Sequence, residues 1–317
     1  MSDEMLRGLV IRAQSGFFTV HTPQDDIVCQ VRGRLKQTRQ ATDLLALGDT
    51  VHISLLPNGT GMIEKIDPRR NALTRKANTD RGARNQRYQP RTTVQGQVLV
   101  ANIDRAFFVL ACANPAPHLR FLDRLLVIAE RDQIPVTICL NKVDLVEREQ
   151  VEQWMKPYKK IGYDYLLVSA KNGEGVEILR QALHQGISVF TGPSGVGKSS
   201  LLNALFPELG LAVSAVSSAT TKGRHTTVYP ELIPLPGGGW LADTPGIRTI
   251  GLHDIEPYEV DAYFREIAPL VADCEFSDCT HLKESGCAVK KSVEYGMIDI
   301  NRYESYCRIR NGELDNN

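Results

Sequence analysis

Between Leu6 and about Ile66 the apolar positions come in short, β-rich runs, Leu9-Val10-Ile11, Phe17-Phe18-Thr19-Val20, Ile27-Val28-Cys29, Val51-His52-Ile53-Ser54-Leu55 and Met62-Ile63. Turn signals separate them, among them Gln14-Ser15-Gly16, Gly48-Asp49 and Asn58-Gly59. About five short strands in some sixty residues predict a small barrel of the OB type. From Val94 the rhythm changes. Phe107-Phe108-Val109-Leu110, Val136-Thr137-Ile138-Cys139-Leu140, Tyr165-Leu166-Leu167-Val168 and Ile187-Ser188-Val189-Phe190 read as fully buried strands. Leu122, Leu125, Leu126 and Ala129 have helical spacing, as do Val176, Leu179 and Leu183. Strands alternating with amphipathic helices predict a mainly parallel sheet covered on both faces. After about Ile255 only helices are expected, one with Val260, Tyr263, Phe264, Ile267 and Val271 on a shared face and a later one carrying Ile300, Tyr303 and Cys307.

Between the two β-containing regions, from Pro68 to Arg91, the pattern dissolves. Arg69, Arg70, Arg75, Lys76, Arg81, Arg84, Arg87 and Arg91 face a single acid, Asp80. This predicts a flexible basic connector, either a solvated linker or a contact to a phosphate backbone. The boundaries that follow are 1–92 for the barrel plus connector, 93–254 for the α/β domain and 255–317 for a helical domain.

Composition adds constraints rather than a function. The chain has 317 residues, 23% of them charged and 42% hydrophobic, which suits two or three globular domains and excludes wholesale disorder. Its formal net charge of +0 argues against an overall basic nucleic-acid binder, though not against local patches. No apolar run approaches the roughly 20 residues of a membrane span. The start Met1-Ser2-Asp3-Glu4 is acidic where a signal peptide would be basic, so a cytoplasmic location is expected. Seven cysteines, three of them between residues 274 and 287, fit reduced thiols plus one metal cluster better than a disulfide framework. Cys29, Cys112, Cys139 and Cys307 are assigned to packing.

The chemistry concentrates at four places. First, the strand ending at Thr191 runs into Gly192-Pro193-Ser194-Gly195-Val196-Gly197-Lys198-Ser199-Ser200 and then an apolar helix. Glycines here let backbone amides face phosphates at a helix N-terminus, Lys198 reaches the β- and γ-phosphates, and Ser199 ligates Mg2+. Second, Asp243-Thr244-Pro245-Gly246 follows a strand, so that Asp243 can hold Mg2+ and the Gly246 amide can meet the γ-phosphate. Third, Asn141-Lys142-Val143-Asp144 follows another strand. The Asp144 carboxylate can accept from both N1 and N2 of guanine, a pair of donors that adenine lacks. Ser169-Ala170-Lys171 supplies backbone amide to the guanine O6. The ligand is then GTP or GDP. Fourth, Cys274, Cys279, His281 and Cys287 have the spacing C-x4-C-x-H-x5-C, four ligands for one tetrahedral, structural Zn2+.

The order of these motifs is rotated. Residues 141–144 precede residues 192–199, whereas an ordinary small GTPase begins with its phosphate loop; circular permutation accounts for this. The rotated chain leaves the γ-phosphate sensor wired to whatever follows Gly246. The position after that glycine, where Ras-like enzymes carry a water-orienting glutamine, is Ile247. The segment Thr220-Thr221-Lys222-Gly223-Arg224-His225-Thr226-Thr227 stands in the place of the first switch. Thr226 or Thr227 is expected to ligate Mg2+, and His225 to position the attacking water.

A rotated GTPase between an OB-like barrel and a small zinc domain, with Gly223-Arg224-His225-Thr226-Thr227 and Cys279-Thr280-His281 followed by Gly286-Cys287-Ala288-Val289, resembles the small ribosomal subunit biogenesis GTPase family. The resemblance covers nearly the whole chain. It implies hydrolysis stimulated by 30S particles, action late in 30S maturation, contacts of the flanking domains with 16S rRNA and a catalytic part for His225. Val228 departs from the threonine run common in relatives and leaves the Mg2+ threonine open. Arg32-Gly33-Arg34-Leu35-Lys36 adds positive charge beside the barrel, although OB-like barrels also bind proteins. The competing reading is a guanine-nucleotide switch that binds a protein partner, with hydrolysis incidental. A monomer is the default.

Overall fold

The computed structural model describes residues 5–33, 35, 45–76, 96–209, 230–243 and 255–313. They fall into two compact units, one drawn from 1–105, 181–190 and 218–251, the other from 106–180, 191–217 and 252–317.

In the first unit the five β-rich runs become β1 (Leu6–Gln14), β2 (Phe17–His21), β3 (Asp26–Val31), β4 (Thr50–Leu55) and β5 (Gly61–Ile66). The order β1-β2-β3-β5-β4 closes through a β1–β4 pairing, and only β3 with β5 runs parallel. This closure is the OB-type barrel the pattern predicts, and it removes the free edges of a five-stranded sheet. Every second residue points inward, so Val10, Val20, Cys29, Val31, Val51, Ile53 and Ile63 make the core. Cys29 is accommodated because Gly61 faces it: a Cβ there would come within 2.5 Å of the sulfur.

Part of the expected basic connector is ordered structure. Ala72–Lys76 forms a strand, β6, paired antiparallel with β7 (Gly96–Ala101). Arg69 does not serve a phosphate backbone: its guanidinium grips Asp49, fully buried, with Nε and Nη2 each 2.7 Å from a carboxylate oxygen. Arg70 pairs with Asp104 at 2.7 Å. A run of cations in sequence therefore hides two intramolecular pairings whose acidic partners lie 20 and 34 positions away. Arg81, Arg84, Arg87, Arg91, Arg34 and Lys36 lie outside the described residues.

The same unit contains β11 (Ile187–Thr191), β12 (Glu231–Pro234) and β13 (Trp240–Asp243). β11 lies parallel to β13, β13 antiparallel to β12, and β12 meets the barrel's β1 at Arg12 and Glu231, which also form an ion pair at 2.6 Å. The Val189–Ala242 register, carried one residue further, sets Asp243 level with Phe190. Both strands thus end on one carboxyl edge, where open α/β sheets bind ligands.

The second unit holds β8 (Arg105–Ala111), β9 (Val136–Asn141) and β10 (Asp164–Leu167), all parallel in the order β10-β9-β8. α1 (Leu119–Arg131) and α2 (Arg148–Lys160) are the crossovers; the helical spacing predicts the first, whose Leu122, Leu125, Leu126 and Ala129 are buried. α3 (Val176–Leu183) and α4 (Lys198–Leu205) follow in sequence.

The C-terminal segment departs from two helical expectations. Val260 to Val271 is not one α-helix but two 3-10 stretches, Pro257–Tyr263 and Ala268–Asp273, parted by Phe264 in an extended conformation. Pro257 and Pro269 each sit in a first turn, and Pro269 cannot donate to a continuing helix. After α5 (Ala288–Glu294), the last helix, α6 (Ile300–Arg310), buries Arg302, Ser305, Tyr306 and Ile309, whereas Ile300 is 53% exposed. Cys307 is half-buried. An arginine occupies the inward stripe because it is neutralised there, 2.7 Å from Asp123 on α1 and 2.7 Å from Glu266. Tyr158 of α2 donates to the same Asp123 at 2.8 Å. Changing Arg302 to Met strands two buried carboxylates and is expected to cost about 3–5 kcal/mol, whereas the triple change with Asp123→Leu and Glu266→Leu should recover most of that loss; urea denaturation of both variants reads the difference.

Candidate functional site

Between β11 and α4 the chain makes a glycine-rich turn. Gly192, Gly195 and Gly197 have φ of 153°, 79° and 88°, and Gly197 caps α4. At Gly192 a Cβ would fall on the Val109 carbonyl oxygen, so the close approach to β8 itself demands glycine. Lys198, first residue of α4, folds back so that Nζ donates to Gly192 O at 2.7 Å and Pro193 O at 2.5 Å. Ser199 is buried and Ser200 exposed. The loop thus presents its amides at a helix N-terminus with an ammonium arched over it, the arrangement that takes a phosphate.

Asn141 ends β9 with its side chain 1% exposed and joins two motifs. Its Nδ2 donates to Val196 O at 2.9 Å, and its Oδ1 accepts from Ala170 N at 3.2 Å. Lys142 adopts a left-handed backbone, φ 63°, unusual for a long side chain and typical of a constrained site. Its Nζ donates to Gly195 O at 2.8 Å and to the carbonyl oxygen of Asn114. Asp144, in a short 3-10 turn with Val143, accepts from Ser169 Oγ at 2.6 Å; that hydroxyl in turn accepts from Lys171 N and Asn172 N at 3.3 Å. Asp144, Lys171, Ser194 and Gly195 are all exposed around this junction. Residues 141–144, 169–171 and 192–200 are therefore brought together within one unit, in spite of their rotated order. Burial pushes the nearby Cys112 thiol up to about 11, reinforced by the Asp144 charge, which leaves it neutral and unreactive.

Asp243 closes β13 in the other unit, and its side chain, with Gly246 and the segment holding His225, Thr226 and Thr227, lies outside the described residues. Sequence reasoning missed Asn114 and Pro115, which flank the phosphate loop: a Cβ at Gly195 would lie 3.6 Å from Pro115 Cδ. The signal was the pair of prolines in Asn114-Pro115-Ala116-Pro117 directly after a buried strand.

The Cys274, Cys279, His281 and Cys287 ligand atoms lie within 4.8 Å of one another. Cys274 Sγ and Cys287 Sγ are each 3.5 Å from His281 Nδ1 and 4.0 Å from each other. A tetrahedral zinc with ordinary bond lengths sets edges of about 3.6 Å for S to N and about 3.8 Å for S to S, so the donor set fits. Burial pushes the Cys279 thiol up to about 12 and lowers the His281 imidazole, which keeps both neutral until a cation displaces the thiol proton. His281 has φ 60°, a strained turn pinned by Tyr303 Oη donating to its carbonyl at 2.6 Å and by Tyr306 Oη donating to Thr280 O at 2.8 Å. Its Nε2 points away from the sulfurs, 3.7 Å from Asp261. Asp261 is a neighbouring carboxylate that the motif spacing did not reveal, and at this distance it makes no hydrogen bond to the imidazole, so the buried Nε2 has no partner among the described residues.

A glycine-rich loop tied through Asn141 to residues 169–171, in an α/β framework with a rotated motif order, defines a circularly permuted GTPase. The RsgA GTPase family model matches residues 66–253 and the RsgA N-terminal domain model residues 7–63. The chain belongs to this family of small ribosomal subunit biogenesis GTPases. It is 43% identical over 306 residues to the small ribosomal subunit biogenesis GTPase RsgA of Gemmatimonas aurantiaca, covering 96% of each chain. It is 40% identical over 301 residues to that of Moorella thermoacetica, covering 95% of each. Among solved structures, YjeQ from Thermotoga maritima superposes with a TM-score of 0.77 at 31% identity, covering 99% of this chain and 100% of that one. YloQ, described as a circularly permuted GTPase, gives 0.75 at 30% identity over 98% and 95%.

Proposed function

We propose that the chain binds GTP and GDP through residues 141–144, 169–171 and 192–200, and that hydrolysis is stimulated by the 30S ribosomal subunit late in its maturation. The observation that carries the nucleotide assignment is the double role of Asn141, which holds the phosphate loop and the Ser169-Ala170-Lys171 turn at once. In this reading Asp144 takes the guanine N1 and N2 donors, the Ala170 region faces O6, and the loop amides with Lys198 hold the β- and γ-phosphates. Ser199, Asp243 and either Thr226 or Thr227 hold Mg2+, which neutralises charge developing on the phosphates, and the Gly246 amide meets the γ-phosphate. With Ile247 unable to orient water, His225 takes that part.

The ribosomal partner follows from the family. Residues 1–92 form the RNA-contacting barrel and connector, 93–254 the GTPase domain and 255–317 the zinc-binding domain, with 16S rRNA touched by the flanking domains. One structural Zn2+ is held by Cys274, Cys279, His281 and Cys287, all four coordination positions being filled by protein. Among the described residues no helix is long and apolar enough to cross a membrane. A cytoplasmic location follows from the family's ribosomal partner, and a monomer that engages no membrane completes the reading.

Single-turnover hydrolysis measured with and without 30S subunits tests the proposal. Strong stimulation is expected, falling at least about a hundred-fold in His225→Ala if that residue orients the water, a typical general acid–base contribution. No stimulation at low salt would favour the nucleotide-dependent switch that binds a protein, and equal rates for wild type and His225→Ala would remove the histidine from the chemistry.

A further inference from the structure

Apart from the phosphate loop, the second unit contains a cleft of 410 Å3 where α1, α2 and α6 meet. Its volume is that of small-molecule sites, which range over about 300–1,000 Å3. Its aromatic lining residues are Trp154, half-exposed, and Tyr158, buried with Arg302 over its ring. Gln153 and Asn301 bring carboxamides, each both donor and acceptor. Ser305, 3% exposed, also lines the cleft, and its hydroxyl is buried with no hydrogen-bond partner. An unsatisfied buried hydroxyl costs about 1–3 kcal/mol, so its persistence beside a cavity points to a partner supplied from outside.

The ionic groups of the wall are already engaged. Arg302 is held by Asp123 and Glu266, Arg120 lies 3.7 Å from Glu304, and Asp299 accepts from the Asn301 and Arg302 amides to cap α6. What the cleft offers is flat aromatic surface edged with neutral donors and acceptors. That combination suits an uncharged planar heterocycle and disfavours an inorganic anion or a polyphosphate.

We propose that this cleft is a second binding site, distinct from the nucleotide site, for a purine or pyrimidine base that stacks on Trp154 and hydrogen-bonds Ser305 and Asn301. The base comes either from a free nucleoside or from an unstacked nucleotide of a single-stranded RNA. The cleft reaches Pro117 and His118, in the loop whose Asn114 carbonyl accepts from Lys142, so its occupant would touch the segment that braces the phosphate loop.

The test uses the full-length, zinc-replete protein with Trp240 changed to Phe, so that tryptophan fluorescence reports Trp154 alone, and saturated with GDP. Adenosine, guanosine, cytidine and uridine are titrated in one arm, and hexa-adenylate and hexa-uridylate in the other. Saturable quenching is expected in at least one arm, and which arm responds identifies the source. Ser305→Val and Asn301→Leu should each weaken it at least ten-fold while leaving GDP affinity unchanged. Absence of saturation in both arms overturns the proposal, as does quenching that survives both substitutions. GDP binding is measured in the same samples, so failure of the nucleotide site is told apart from failure of the cleft.

Discussion

Asp144→Asn protein is expected to bind GTP and GDP about a thousand-fold more weakly than the unaltered chain, and to gain affinity for xanthosine diphosphate. A carboxylate offers acceptors to both guanine donors, and the carboxamide replaces one acceptor with an N–H2 group that opposes N2. Sites built to satisfy buried hydrogen-bonding groups commonly discriminate by four or five orders of magnitude, so a thousand-fold loss is a moderate expectation. Xanthine carries a carbonyl where guanine carries N2, and that carbonyl matches the new donor. The substitution keeps an oxygen able to accept from Ser169 Oγ, now 2.6 Å away, and the residue is exposed, so the fold is expected to stand. Calorimetric titration with both diphosphates decides it: unchanged GDP affinity would falsify the base-site assignment.

The second large effect is metal removal. Purified protein is expected to hold about one equivalent of zinc, and stripping it with a strong chelator, or changing Cys279 to Ser, should unfold residues 255–313. Zinc bound by small modules contributes an apparent 10–16 kcal/mol at neutral pH, more than the whole stability of many domains. Besides the metal, the segment has a modest core around Val260, Phe264, Ile267, Val289 and Tyr306, the Arg302–Glu266 pair and the Tyr303 and Tyr306 hydroxyl bonds, and the last two anchor the very turn that carries His281. Metal analysis together with thermal melts of holo and chelated protein reads the outcome. Less than about half an equivalent of zinc, or a melt indifferent to chelator, would defeat the metal assignment.

Local patterns carried much of this architecture because local physics dictates it. Short β-rich runs parted by turn residues marked the strands of the barrel, and unbroken apolar runs marked β8 and β9, which are buried along most of their length. The phosphate loop and the Cys-His cluster were legible because each packs its chemistry into one short segment. What escaped was held by partners distant in sequence. Arg69 reads as connector until Asp49 is placed beside it, and nothing in its own segment marks Arg302 until Asp123, 179 positions earlier, comes within 2.7 Å. Asp261 became visible as a companion of His281 only once the chain was folded. The long apolar stripe after Ile255 misled for a different reason: inward residues three or four apart suit an α-helix and consecutive 3-10 turns alike, and Pro269 favours the latter.

The pairing of β6 with β7 bears on how the chain would respond to a protease. Ala72–Lys76 and Gly96–Ala101 are zipped together, Asn71 exchanges hydrogen bonds with Ile103, Arg70 clamps Asp104, and β1 is laced to β12. Severing the backbone anywhere between Lys76 and Gly96 would thus leave two fragments annealed as one body, the amino-terminal piece retained by the ladder after its covalent tether is gone.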